Sequence, residues 1–372
     1  MKILQINKLY YPTIGGIEKV VQDIAEGLNG QDNIEITNLV CQEKGSRTSE
    51  EISGVKVFRA ATWLMLFRMP ISFDFFGLYK KLVSDCDLVI LHHPFPLGFL
   101  AYRLFSPRKK VIVWYHSDII KQKFLGSVLQ PLAYSVLRLA SHIFVSNNNL
   151  IKYSTQLKTL VDKCRVIPYG LKLEDFQSTD ELKSQARIIA DKYHQPIVLS
   201  VGRLVYYKGF EYLIRSFIDV HDAVLVIIGE GPLQAELQKI IDDNNLVNRV
   251  FLLDHQKDIR PYYFASQLFI LSSVANSEAF GLVQMEAMAC GLPVINTNLP
   301  TGVPEVGLDG QTGFTVEPKN SAALATSINK IIHDSVLRSR LSVAAKKRAE
   351  QVFSLGRFLE TNKKYFKEVV EK

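Results

Sequence analysis

Residues 277–294 read Ser277-Glu278-Ala279-Phe280-Gly281-Leu282-Val283-Gln284-Met285-Glu286-Ala287-Met288-Ala289-Cys290-Gly291-Leu292-Pro293-Val294. An apolar run at 268–271 precedes this stretch, and another at 293–296 closes it. Short apolar runs bounded by turns read as buried strands, and a helix between two of them makes a parallel strand–helix–strand unit. Glu278 and Glu286, with seven residues between them, flank the turn into that helix. Glu286 sits among Met285, Ala287, Met288 and Ala289, where an unpaired carboxylate is costly. An ionised carboxylate only accepts hydrogen bonds, so the hydroxyls of a ribose or hexose are suitable partners. A helix-capping glutamate and a buried ion pair are the structural alternative.

The same alternation extends in both directions. Apolar runs at 3–6, 34–40, 88–91, 111–114 and 143–145 predict strands in the first half; those at 197–201, 224–228, 250–253, 268–271 and 293–296 predict them in the second. Ile17, Val20, Val21, Ile24 and Leu28 form one apolar face at helical spacing, and helical patterns recur at 211–217 and 233–241. Two tandem series imply two doubly wound α/β domains, each a parallel sheet covered on both faces, facing each other across a cleft. At 372 residues the chain is long for a single core. The boundary is expected at Val166-Ile167-Pro168-Tyr169-Gly170, giving domains 1–170 and 171–354, with an amphipathic helix over 355–372 that can pack back on the first.

Composition narrows the class further. Cys41, Cys86, Cys164 and Cys290 are widely spaced without a C-x-x-C pair, which argues against a zinc ribbon or a disulfide framework. The first residues read as a strand rather than a signal peptide, and no run reaches the roughly 20 apolar residues of a membrane span. Of the net charge of +7, residues 1–170 hold 21 Lys and Arg against 13 Asp and Glu, and residues 171–372 hold 23 against 24. The basic excess therefore lies in the first half, where Arg103, Arg108, Lys109, Lys110, Lys121 and Lys123 cluster. Together with Trp63 and the apolar residues up to Phe67, it suits an anionic membrane surface. A solvated face would look the same, and no nucleic-acid-binding motif accompanies the charge.

Ligands of open α/β sheets bind at the carboxyl ends of strands, and four candidate sites follow predicted strands. Gly15 and Gly16 open the first helix, where bare amides can meet an anion, although a tight turn needs the same residues. Neither this pair nor Gly229-Glu230-Gly231-Pro232 is a dinucleotide fingerprint. Arg203 and Lys208 follow the 197–201 strand and suit a departing diphosphate, or are two surface cations. His116 follows the 111–114 strand within His116-Ser117-Asp118; no nucleophile elbow accompanies it, so a hydrolase triad is not indicated. His92 and His93 end another strand and point apart, which argues against a joint metal site. Glu278 and Glu286, with Phe280, Gly281 and Leu282 between them, form the fourth site. Asp85-Cys86-Asp87 has the look of a metal-binding D-x-D but precedes a strand, so it reads as a turn at the amino end.

Together these sites resemble the retaining glycosyltransferases of family 4, which have the GT-B fold. The resemblance spans nearly the whole chain. It is strongest at 202–209, at 278–294, and at Pro304-Glu305-Val306 with Gly310-Gln311-Thr312-Gly313-Phe314; Tyr169 stands where the family more often has Asn. It implies an N-terminal domain for the acceptor and a C-terminal domain for a nucleotide-diphosphate sugar. Arg203 and Lys208 would hold the diphosphate with the Gly15 and Gly16 amides, Glu286 the ribose, Glu278 the sugar, and His116 would stand by the reaction centre. Phe280, Gly281 and Leu282 would present backbone to the donor. No metal and no other cofactor is implied. Asp254-His255 replaces a glycine common in relatives, which leaves the base open between GDP and UDP.

The function expected is transfer of a hexose, mannose from GDP-mannose first, to a lipid-diphosphate-linked saccharide in bacterial surface polysaccharide (O-antigen, lipopolysaccharide) assembly. The enzyme would be cytoplasmic and peripheral on the inner-membrane face, without a nucleic-acid partner. Front-face displacement would retain the anomeric configuration. A sugar-nucleotide epimerase of the same architecture and a catalytically idle nucleotide-binding protein are the rivals.

Overall fold

The computed structural model describes residues 1–13, 15–66, 69–118 and 123–371, the side chains of 123–128 excepted. The chain forms two compact units: Met1–Gly170 together with Leu355–Lys372, and Leu171–Ser354.

The first unit is built on an eight-stranded sheet. Its strands are β1 (Lys2–Ile6), β2 (Glu35–Cys41), β3 (Thr48–Ile52), β4 (Val55–Ala60), β7 (Leu88–His93), β8 (Lys110–Tyr115), β9 (His142–Val145) and β10 (Cys164–Val166), with β5 (Leu64–Leu66) and β6 (Met69–Ile71) forming a separate hairpin. The order is β10-β9-β8-β7-β1-β2-β4-β3. All pairings are parallel except the edge pair β3–β4, joined through Ser53 and Gly54, both at positive φ. The expectation of a wholly parallel sheet is corrected there, because a two-residue turn can only connect antiparallel strands. Central strands β7 and β8 are buried along almost their whole length, which is why they read as unbroken apolar runs.

The second unit has six parallel strands, β11 (Ile197–Val201), β12 (Val224–Ile228), β13 (Val250–Leu253), β14 (Leu268–Leu271), β15 (Val294–Thr297) and β16 (Gly313–Val316). Their order, β13-β12-β11-β14-β15-β16, is that of a dinucleotide-binding sheet. Chain direction across the sheet reverses between β11 and β14, and in the first unit between β1 and β7. Such switch points leave a crevice at the strands' carboxyl ends.

The Leu355–Glu371 helix belongs to the first unit. It lies along the Gly16–Leu28 helix, where a Cβ on Gly27 would come within 2.4 Å of Leu359. Trp114 Nε1 donates to Asn362 Oδ1 at 3.1 Å, and Lys110 Nζ donates to the Val370 carbonyl at 2.8 Å.

Candidate active site

The loops after β11 and β14 meet at the second unit's switch point. Lys208 Nζ lies 2.5 Å from Glu278 Oε2, and both side chains are close to nine-tenths buried. Ser273 donates to the same carboxylate oxygen at 3.0 Å, and Thr297 Oγ1 holds the Ser273 carbonyl at 2.6 Å. Ser272 Oγ donates to the Lys208 carbonyl at 2.9 Å. Gly209, at φ 64°, lets the β11 loop approach: a Cβ there would stand 2.2 Å from the Ser272 carbonyl oxygen. The ion-pair alternative for Glu278 is therefore realised, and its partner is the other predicted site residue. Two desolvated opposite charges offset one another in the absence of ligand, and an incoming anion would compete with Glu278 for Lys208. Arg203 is exposed on the same loop, with no side-chain partner among the described residues.

The Leu282–Ala289 helix begins after Gly281, whose left-handed backbone (φ 79°) turns the chain into it. Phe280 is buried edge-on to Phe353. Glu286, partly exposed, accepts from Tyr263 Oη at 2.8 Å. Desolvation raises its pKa, and the Tyr263 hydrogen bond partly offsets that rise. Gln284 lies fully buried on the helix's inner side: Asn296 Nδ2 donates to Gln284 Oε1 at 2.9 Å and also to the carbonyls of Val303 and Gly307. This network pins 303–307 beside the helix. Ser273, Tyr263, Gln284 and Asn296 were missed from sequence; a second polar residue beside Glu286 inside an apolar helix was the available signal for Gln284.

In the first unit, β7 and β8 place three histidines. Gln5 Nε2 donates to the Val21 carbonyl at 3.1 Å and contacts His92 Nε2 at 3.0 Å. An amide nitrogen only donates, so His92 Nε2 accepts and the proton sits on Nδ1. His92 Nδ1 then donates to His116 Nε2 at 2.8 Å, and His116 Nδ1 to Tyr169 Oη at 2.6 Å. Burial holds His92 neutral, with its pKa lowered to about 3, and holds that of His116 well below the usual imidazole range. His116 thus meets protein at both ring nitrogens, and Trp114 stacks on its ring at 5.5 Å. His93 points to the other face, stacking on Tyr115 at 4.2 Å, with Nδ1 bonded to the Ser117 carbonyl. Asp118 accepts from Tyr115 and Ser154 rather than from His116, so 116–118 is not a triad.

Gly15 precedes the Gly16–Leu28 helix in extended backbone, and the Glu18 carboxylate lies against it: a Cβ on Gly15 would meet Glu18 Oε2 at 2.2 Å. Part of the basic cluster is spent on the fold. Lys109 Nζ binds the Cys86 carbonyl at 2.6 Å, and Lys110 binds Val370, while Arg103 and Arg108 are exposed. Lys121, Phe67 and the Lys123 side chain lie outside the described residues. Asp85 pairs with Lys2 at 2.7 Å at the amino end of the sheet.

Comparisons with known proteins agree along the chain. A family model described as "Glycosyl transferases group 1" matches residues 183–348, and one described as "Glycosyltransferase Family 4" matches residues 14–175. The chain is 30% identical to the O-antigen chain mannosyltransferase C of Escherichia coli, over 97% of this chain and 96% of that one. It is 29% identical to the D-rhamnosyltransferase WbpZ of Pseudomonas aeruginosa, over 95% and 92%. Among solved structures, Anabaena HepE in complex with UDP superposes with a TM-score of 0.81 at 21% identity, covering 99% of this chain and 100% of that one. The fold of the chain is accordingly GT-B.

Proposed function

Because the chain belongs to the group 1, family 4 glycosyltransferases, we propose that it moves mannose from GDP-mannose, with retention, onto a lipid-diphosphate-linked saccharide. It is a glycosyltransferase of O-antigen or related surface polysaccharide biosynthesis. Two of its relatives are named for mannose and for D-rhamnose, which is mannose lacking its 6-hydroxyl, and this supports a manno-configured sugar. A third, from Campylobacter jejuni, 29% identical over 73% of this chain, is named for an undecaprenol-diphosphate-linked acceptor and supports the acceptor class.

The observation that carries the reading is the Lys208–Glu278 contact at the β11/β14 switch point. It joins the cation suited to a leaving diphosphate to the carboxylate suited to the sugar's hydroxyls. When donor phosphates engage Lys208, Glu278 is released to accept from the hexose. Arg203 supplies a second charge, Glu286 reads the ribose, and the amides at 280–282 face the donor. Negative charge grows on the leaving diphosphate as the glycosidic bond breaks, so cations already in place lower the barrier. That diphosphate then takes the acceptor hydroxyl's proton on the same face. In this scheme Arg203 and Lys208 carry the charge change, and turnover is expected to survive EDTA.

Among the described residues no helix is long and apolar enough to cross a membrane. We place the enzyme peripherally on the cytoplasmic face of the inner membrane, held by the exposed residues Trp63, Leu64, Leu66 and Phe73 and assisted by the exposed cations Arg103 and Arg108 of the same unit. Flotation with anionic vesicles tests this, and indifference to lipid charge counts against it.

Purified enzyme incubated with GDP- and UDP-linked hexoses and a polyprenyl-diphosphate saccharide tests the whole reading. Transfer from GDP-mannose with retained configuration is expected. Release of an altered free sugar nucleotide would replace it with the epimerase reading. Nucleotide binding without turnover would replace it with an idle binding protein.

A further inference from the structure

One fully buried side chain on β1 serves two candidate elements of the first unit. Leu4 and Ile6 turn into the main core, whereas Gln5 points to the opposite face, beneath the Gly16–Leu28 helix. Both hydrogens of Gln5 Nε2 are engaged: one by the Val21 carbonyl of that helix at 3.1 Å, the other by His92 Nε2 at 3.0 Å. The Val21 carbonyl can only accept, and this settles which end of the amide faces the pair. From His92 the hydrogen bonds run one way, to His116 at 2.8 Å and on to Tyr169 at 2.6 Å. The helix that starts at Gly16 and the His116 ring are therefore tied to a single amide group.

The same amide is a poor choice for stability. Gln5 Oε1 has no partner among the described residues, and neither have Nδ2 and Oδ1 of Asn38, which sits directly opposite Gln5 in the β1–β2 register. Gln5 and Asn38 are both fully buried. A buried carbonyl oxygen without a donor keeps its full desolvation cost, and an apolar residue would fill this part of the core without it. A polar group kept inside a core on those terms marks a task other than packing. Here the task is visible in what the amide nitrogen holds.

We propose that Gln5 is a positioning residue of the transfer reaction: it fixes the Gly16–Leu28 helix and the His116 ring relative to each other, and through His92 it dictates the Nδ1–H tautomer of His116. His116 then has no free lone pair, so it acts by its placement and not as a base. That agrees with proton transfer to the leaving diphosphate. The inference rests on the transferase reading with His116 beside the reaction centre, and it adds a residue that touches no substrate.

Nitrogen NMR of the histidine-labelled full chain, assigned with single-histidine substitutions, reads the tautomers directly. His92 and His116 should both be Nδ1–H in the parent. Gln5→Glu should reverse both to Nε2–H, because a carboxyl oxygen accepts from His92 where the amide donated, and the Tyr169 hydroxyl can donate in turn. Gln5→Met keeps the side chain's size and covers the case in which a buried carboxyl prevents folding. In that variant the two tautomer orders should be mixed. Its urea midpoint should stay near the parent's, because removal of the unpartnered oxygen offsets the lost hydrogen bonds. Its kcat with GDP-mannose and a polyprenyl-diphosphate saccharide should fall about tenfold or more, with both KM values within about twofold. Nε2–H at His116 in the parent, unchanged tautomers in Gln5→Met, or parent-like kcat in folded Gln5→Met overturns the proposal. A loss of turnover that only follows the unfolded fraction does so too, by making Gln5 structural. A parent that transfers no sugar from any donor sinks the transferase reading and the positioning role with it; a parent that transfers but shows the wrong tautomers sinks the positioning role alone.

Discussion

A lysine and a glutamate 70 positions apart share one hydrogen-bonded contact with little water around it. Removing one partner strands the other charge, so Lys208→Ala should cost about 3–5 kcal/mol of stability in the second unit. The double variant Lys208→Ala with Glu278→Ala should recover most of that loss in urea unfolding while turnover stays abolished. A double variant with near-wild-type turnover would remove both residues from the chemistry. Glu286 makes a different prediction. Its pKa is raised, so on lowering pH it protonates earlier than an ordinary carboxyl group and loses acceptor capacity. Nucleotide affinity should therefore fall as pH drops through a window above pH 4.5, with proton release on binding, seen by calorimetry in two buffers. Glu286→Gln should flatten that dependence. The desolvation of Glu286 could be read from its apolar neighbours. The pairing of Lys208 with Glu278 could not, because which loops meet depends on strand order, and local periodicity carries no information about it.

At the scale of elements, the paired strand ends govern behaviour. The chain Gln5–His92–His116–Tyr169 orders the carboxyl ends of β1, β7 and β8 with every tautomer set by an amide that can only donate. These imidazoles are neutral when folded and titrate near pH 6.5 when unfolded. The unfolded state therefore binds more protons below pH 6.5. Stability is full above that pH and declines as pH falls from 6.5 toward 3, by about 1.4 kcal/mol per pH unit for each histidine. Urea midpoints measured from pH 7.5 to 5 check this; a flat profile across that range would contradict the buried neutral chain. The buried parallel strands were legible because strands covered on both faces must be apolar throughout. Edge strand β3, Thr48–Ile52, is almost wholly exposed and carries no such signal. β16 was missed for another reason: it reads Gly313-Phe314-Thr315-Val316, so a glycine start and an interrupting threonine leave no apolar run. The histidine relay was illegible because its members come from four separate segments.

The molecule as a whole is two units on one discontinuous path, with the last helix completing the first unit. Trp114 is fully buried and bonded to that helix, whereas Trp63 is three-quarters exposed. In a Trp63→Phe background the remaining fluorescence reports on the helix seat alone. There Asn362→Leu should leave the indole N–H unpaired and destabilise the first unit by about 1–3 kcal/mol, without changing nucleotide affinity. Tryptophan emission identical to the parent throughout a urea titration would show that the seat contributes nothing. Because Leu171–Ser354 is one continuous stretch, a nascent chain leaving the ribosome holds all of the second unit before residue 355 has been made. The first unit begins earlier and closes later: its sheet face around Trp114 stays uncovered through the synthesis of everything between. Vectorial folding would therefore run out of order, with the middle of the polypeptide settled before its beginning, and the uncovered face is where a chaperone would bind.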